Sequence, residues 1–401
     1  MQPKKQITIL SLEQALALPF ATQRMVHQGW RVIRVESPAQ EGGGNAGDPN
    51  RYIGADLGFH DLHSYYIAPN IGKEAITLNL KKKEGQALLL KIIKELHVDV
   101  FMCNTLPKTY KKLGIDFNTL KQANPKLIWC GISAMGPDYP GNAGYDPALQ
   151  ALMGYTYLTG EPDGKPVPCG IPVIDLKAGD EAFTQVILAL LDKNPEGKEI
   201  HVSMTRCAAS WLITALPQLA FVKSDDELFT RSGNEHRSFI PCNIYPTSDG
   251  MVYLAIGNDS QWAKLTSQSG FEMLASKSRK TNAGRMKEKE HIYQEIGELS
   301  QQYTSRDFVE LCLEINLSVS PVNTIKDVAS LSFISQEFIK TKLPDGDTVS
   351  LFPASAETDF LKNNKNNLDC APRLGEHNNK IYSELGYTET ELQKLKENNV
   401  I

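Results

Sequence analysis

The sequence predicts an α/β protein of two domains, the larger built on a mostly parallel sheet covered by helices. Three observations carry that expectation. At 401 residues the chain is too long for one ordinary core. Strand and helix signals alternate through its first half, the rhythm of βαβ units. A polar stretch of Lys, Asp, Ser, Gly and Asn at 223–240 then changes the texture and marks a domain boundary.

The elements follow in order. Ile7-Thr8-Ile9-Leu10 is a short β run, and Ser11 is placed to cap a helix running toward His27. Arg31-Val-Ile-Arg-Val-Glu36 reads as a second strand. From Glu84 to Leu96, apolar residues at 88, 89, 92, 93 and 96 form one helical face. Val98-Asp-Val-Phe101 and Leu127-Ile-Trp-Cys130 are further strands. Ala178 to Leu191 repeats the helical spacing, and Glu199 to Met204 alternates with Ile200, Val202 and Met204 on one side. Thr205 opens another helix. Beyond the boundary, two short strands meet at the Ser248-Asp249-Gly250 turn, and helical patterns run to about 316. A closing helix spans Glu389 to Asn398 with Thr388 as its cap.

Composition narrows the function. Hydrophobic residues are 41% and charged residues 22%, and the net charge is -5, so no general electrostatic pull toward nucleic acid or an anionic membrane is expected. The apolar stretch after Lys4 and Lys5 is broken by Glu13 and Gln14, too short for a secretion signal, and no run is long enough to span a membrane. Seven cysteines stand apart with no CxxC pair, which indicates neither a zinc site nor a disulfide framework and suits the cytoplasm. Each reads as a small buried apolar residue.

Asp175 is the leading candidate for chemistry. It ends Cys169-Gly-Ile-Pro-Val-Ile-Asp175, directly before a strong helix. There it either caps the helix or serves as a nucleophile, and the two readings are compatible: a carboxylate at a helix N-terminus is expected to stay ionised. Gly257-Asn258-Asp259 is a turn, or a loop whose amides face a reacting carbonyl. Gly42-Gly43-Gly44 lacks a strand-turn-helix frame and reads as a flexible loop, not a dinucleotide site. Lys81, Lys82 and Lys83, and then Lys108, Lys111 and Lys112, are solvated helix ends or partners for the phosphates of a nucleotide-like ligand. His236 and His377 read as structural, with no second ligand at metal spacing.

Taken together in order, these and other short pieces resemble the class III CoA-transferases, the family of formyl-CoA transferase and carnitine CoA-transferase. The pieces are Val32-Ile-Arg-Val-Glu36, Gly47-Asp48 with Arg51, Thr77-Leu-Asn-Leu-Lys81, Asn104, Gly144-Tyr145-Asp146 and Gly170-Ile-Pro-Val-Ile-Asp175 with Gly179. Gly197-Lys-Glu-Ile-His-Val-Ser203, Gly233-Asn-Glu-His236, Tyr245-Pro-Thr-Ser-Asp-Gly250, Gly257-Asn-Asp259, Pro372-Arg-Leu-Gly-Glu-His377 and Leu385-Gly-Tyr387 complete the set. The resemblance implies a Rossmann-like large domain over 1–222, a smaller α+β domain over 223–330, a segment 331–401 returning to the large domain, and two chains interlocked like links. It implies that Asp175 is the nucleophile, forming acyl-aspartyl anhydride and aspartyl-CoA thioester intermediates. Tyr145 and Asp146 would lie near the reacting carbonyl, and Gly257 and Asn258 in a loop shielding the aspartate. Leu78, Lys81, Asn104, Lys112 and Leu113 would contact coenzyme A, which is a substrate and not a resident cofactor. No metal is implied. The partners would be an acyl-CoA, succinyl-CoA fitting as donor, and a small carboxylic acid, in a homodimer or a heteromer with a paralogue. Three departures stand out: Ser37 after the Glu, Ala15-Leu16 where formyl-CoA transferase has a polar contact, and Gly257-Asn258-Asp259 in place of a glycine run. An α-methylacyl-CoA racemase shares fold and aspartate but uses a His where this chain has Tyr145, a poor base at neutral pH. A non-catalytic subunit would not need Asp175.

Overall fold

The structure, a computed structural model, describes residues 6–38, 45–192, 196–221 and 229–401. The Gly42–Gly44 run and part of the 223–240 stretch lie outside the described residues. The chain divides into two compact units: Met1–Met153, Cys169–Phe221 and Ser332–Ile401 form one, Gly154–Pro168 and Val222–Leu331 the other. Gly154–Pro168 falls inside the span expected for the large domain but groups with the second unit. Gly233 N–H donates to the Gly160 carbonyl at 2.9 Å, and the Arg231 guanidinium lies over the Tyr157 ring.

The first unit is built on six parallel strands: β1 (Thr8–Leu12), β2 (Arg31–Glu36), β3 (Glu74–Thr77), β4 (Val100–Cys103), β5 (Ile128–Ser133) and β6 (Lys198–Ser203). Their order is β3-β2-β1-β4-β5-β6. The order runs outward from β1 to one edge, then outward from β4 to the other. A topological switch therefore lies between β1 and β4, and the crevice beyond their carboxyl ends is where such a sheet takes its ligands. Every residue of β4 is buried, as in a sheet covered on both faces.

Ser11 does not cap a helix. It lies inside β1, paired with Arg34 on one side and Met102 on the other. Ladder bonds to two neighbours outweigh a local cap, and the helix α1 (Ala17–Val26) begins after Leu16 with no side-chain cap. Next come α2 (Lys83–Glu95), α3 (Asp146–Leu152), α4 (Val173–Leu191) and α5 (Met204–Trp211). Helix α4 thus starts at Val173, ahead of the Ala178 that the periodicity suggested. It packs on α1 at Gly179, where a Cβ would stand 2.6 Å from the Ala17 carbonyl oxygen and 2.8 Å from Phe20 Cδ1. Arg24 of α1 pairs with Asp180 of α4 beside that crossing.

A buried ionic network joins the residues that follow β1 to β2. Arg34 and Arg51 are fully buried. Arg34 Nη2 meets Asp48 Oδ2 at 3.0 Å, Arg51 Nη2 meets Glu36 Oε2 at 2.5 Å, and Lys73 Nζ meets Glu13 Oε1 at 2.7 Å. Burial works against the Glu36 carboxylate, but Arg34 and Arg51 overcome it and hold its pKa at about 2. The C-terminal segment closes over β3: Thr77 N–H donates to Asn378 Oδ1 at 2.8 Å and Tyr382 Oη–H to the Thr77 carbonyl at 2.7 Å. The last helix, Glu389–Glu397, starts with a Thr388–Glu391 capping box.

The second unit carries an antiparallel sheet of Cys242–Pro246, Met251–Ala255 and Ser318–Pro321, with the hairpin at Ser248–Gly250. Val252, Leu254, Trp262, Phe271 and Phe308 belong to its core. Among the described residues no helix is long and apolar enough to cross a membrane. Five of the seven cysteines are buried, but Cys169 is exposed and Cys370 half-buried, so the buried-apolar reading fails for those two.

Candidate active site

The segments after β1 and β4 meet over the switch-point crevice. Asn104, just past β4, binds Gln14, just past β1: Gln14 N–H donates to Asn104 Oδ1 at 3.1 Å, and Asn104 Nδ2 donates to the Gln14 carbonyl at 2.7 Å. Two cavities open beside this junction, both lined wholly by the first unit. One, of about 260 Å³, includes Ala15, Ala17, Asn104, Ser133, Tyr145 and Asp175 in its wall. The other, of about 200 Å³, includes Glu36, Ser37, Leu78, Lys81 and Leu113. Gln14 and Thr105 line both.

Asp175 enters the larger cavity because another carboxylate does the capping. The amides of Ile174 and Asp175 both donate to Asp146 Oδ2, at 2.7 and 3.0 Å. Asp146 is buried at the first turn of α3, and its Oδ1 accepts from Gln150 Nε2. Gln150 Oε1 in turn accepts from Cys169 N–H at 2.8 Å, fixing the chain on its way into α4. Asp175 therefore sits within the first helical turn, with its side chain on the cavity wall and not on the helix end.

That division of labour changes the electrostatics expected for Asp175. The amides that would have favoured its charge are taken by Asp146. Burial, then the nearby Asp146 charge, push the Asp175 pKa up to about 7. The expectation that the helix start keeps it ionised is not met: near neutral pH it is poised between acid and carboxylate. Tyr145, the residue before α3, is 78% exposed at the cavity rim.

The other sequence-selected residues divide between places. Leu78, Lys81 and Leu113 share the smaller cavity, while Lys112 is exposed outside either lining and its carbonyl accepts from Gln86 Nε2 at 2.9 Å. The Asn104 amide is occupied by the Gln14 backbone. Gly257 and Asn258 belong to the second unit. There Asn258 Oδ1 caps the helix Asp259–Thr266 through Gln261 N–H at 2.9 Å, and Gly257 N–H donates to Gln261 Oε1 at 2.8 Å. His377 Nδ1 accepts from Ala75 N–H at 3.2 Å. Among the described residues no group of His, Cys, Asp and Glu is arranged to hold a metal.

Sequence reasoning missed Gln14, Thr105 and the left-handed Ala15 (φ 60°). The first two were within reach, since each lies just past a strand flanking the topological switch. The conformation of Ala15 has no sequence signal, because glycine or asparagine is the usual mark.

Comparison with known proteins fits this geometry. The family model described as CoA-transferase family III matches residues 5–378. A succinate–glutarate CoA-transferase of Agrobacterium fabrum is 30% identical over 390 residues, covering 96% of each chain. A succinyl-CoA:glutarate CoA-transferase of Mus musculus is 26% identical, over 98% of this chain and 89% of that one. Among solved structures, a CAIB/BAIF family protein from Brucella suis superposes with a TM-score of 0.80 at 28% identity, covering 94% of this chain and 98% of that one. With nearly its whole length matched, the chain belongs to CoA-transferase family III and is an enzyme of the class III CoA-transferase type.

Proposed function

We propose that the chain transfers CoA from an acyl-CoA thioester to a free carboxylic acid with Asp175 as the covalent carrier. The observation that carries this reading is the wall position of Asp175, left available because Asp146 takes over the helix amides. In the first step Asp175 Oδ attacks the thioester carbonyl carbon. The C–S bond breaks, and the products are an acyl-aspartyl anhydride and CoA thiolate. The thiolate then attacks the aspartyl carbonyl carbon, releasing the donor carboxylate and leaving an aspartyl-CoA thioester. An acceptor carboxylate repeats the sequence in reverse: it displaces the thiolate to form a second anhydride, and the thiolate attacks the acceptor's acyl carbon. Acyl-CoA departs and the Asp175 carboxylate is restored. Charge and atoms balance at every step, with no external acid or redox partner.

The smaller cavity, with Leu78, Lys81 and Leu113, would take the nucleotide end of CoA, and the arm would pass Gln14 and Thr105 toward Asp175. The names of the relatives favour succinyl-CoA as donor and a small dicarboxylic acid as acceptor. Trp211, Ile213, Leu216 and Phe221 leave apolar surface exposed on the first unit, Phe221 by 87%. We assign that surface to a second copy in a dimer, and assign the enzyme to the cytoplasm, which suits its free thiols.

A matrix of acyl-CoA donors and free acids tests the reaction, with Asp175→Ala as control. New acyl-CoA species should appear with the native chain and fall to background with the variant. Transfer that persists in Asp175→Ala defeats the proposal. Rapid deuteration of a chiral 2-methylacyl-CoA in D₂O without any acceptor would point instead to a racemase.

A further inference from the structure

Gln14 and Ala15 form an unusual step at the junction of the two cavities. Ala15 holds φ at 60°, a left-handed conformation that a residue with a Cβ rarely adopts and that costs free energy unless its surroundings enforce it. All four backbone polar groups of the two residues are held by side chains. Asn104 takes both groups of Gln14. Asp48 Oδ1 accepts from Ala15 N–H at 3.1 Å, and Asn50 Nδ2 donates to the Ala15 carbonyl at 2.8 Å. The outer residues of this clamp are themselves anchored: Asp48 is buried against Arg34, and its N–H donates to Glu36 Oε1 at 2.9 Å. Three polar side chains from two segments distant from it in the chain, Asp48 with Asn50 and Asn104, thus converge on one dipeptide, at a place where no regular secondary structure requires them.

We propose that Asp48, Asn50 and Asn104 are positioning residues for transfer, acting by holding the Gln14–Ala15 step rigid. The inference rests on the transferase reading, in which a thioester arm runs from the smaller cavity over Gln14 to Asp175. A fixed step sets the depth at which the thioester carbonyl stops beside the nucleophile. A step free to relax to negative φ turns the peptide between Gln14 and Ala15 and moves that stop. Such a change lowers the rate of the chemical step while leaving most of the CoA contact in place. Asn104 then acts through Gln14 and not as a direct CoA contact.

The test uses the full chain and the partly exposed Asn104, whose replacement leaves the buried network intact. Asn104→Ala should lower kcat by about tenfold or more, while equilibrium binding of CoA weakens by less than about threefold. Adding Ala15→Gly should restore a measurable part of that kcat, because an unclamped glycine, free of the Cβ penalty, populates the left-handed conformation far more than an unclamped alanine. A CoA affinity loss with kcat unchanged overturns the proposal and makes Asn104 a ligand contact. An unchanged kcat, or a double variant no faster than Asn104→Ala, overturns it as well. Asp175→Ala separates the two readings: if that variant still transfers CoA, the transferase mechanism fails. If it is inactive and Asn104→Ala is unaffected, only the positioning role fails.

Discussion

Replacing Asp175 by Asn should make the protein more stable at pH 8 and leave its stability unchanged near pH 4. An unfolded aspartate titrates near ~4, whereas burial and the Asp146 charge raise Asp175 to about 7 in the fold. The sign follows from proton binding. Below ~pH 4 both states hold the proton, so the group contributes nothing. Between the two values the unfolded chain ionises first, and stability falls as pH rises. Above about 7 the cost is complete. A difference of about 3 pH units corresponds to about 4 kcal/mol, and roughly half of that is expected for a half-buried group measured against a real denatured chain. Urea unfolding of native protein and Asp175→Asn at pH 5, 6.5 and 8 reads this directly. The variant's advantage should grow by about 1.3 kcal/mol across the series, the remaining third of the effect falling below pH 5. An advantage that is flat with pH, or that shrinks, refutes the assignment of a raised carboxyl. The same titration should appear in catalysis: kcat/KM for the first half-reaction should rise through pH about 7 as the nucleophile ionises.

Three further outcomes follow from the fold. Gly179→Ala places a methyl group against the Ala17 carbonyl, so α1 must shift, costing about 1–3 kcal/mol in chemical denaturation despite the better helix propensity of alanine. Glu36→Gln leaves the buried guanidinium groups of Arg34 and Arg51 without their shared carboxylate, and about 3–5 kcal/mol should be lost on thermal or urea unfolding. Thr388→Ala removes a capping box at the C-terminal helix and should cost only about 1 kcal/mol, with kcat unchanged.

Much of the fold was legible because its elements are dense in the usual signals. Apolar runs announced β1, β2, β4 and β5, and the spacing at 88, 89, 92, 93 and 96 announced α2. The strand β3 went unread: Glu-Ala-Ile-Thr is short, and its partner β2 decides its state. Asp175 stood out, but the reason it is available did not. Asp146 lies 29 residues upstream, and only folding brings it to the start of α4. The network of Glu13, Arg34, Glu36, Arg51 and Lys73 was equally hidden, because isolated charges along a sequence read as solvent-facing. Lone features of local chemistry were therefore readable, and pairings between distant polar groups were not.

The central claim is that Asp175 carries the acyl group and then CoA, and mass spectrometry of its peptide tests it most directly. After brief exposure to an acyl-CoA without acceptor acid, quenching with hydroxylamine should leave a hydroxamate on the peptide containing Asp175. The same peptide should stay unmodified when CoA replaces the acyl-CoA. A peptide that remains unmodified during active turnover, or a label on another residue, would contradict the account.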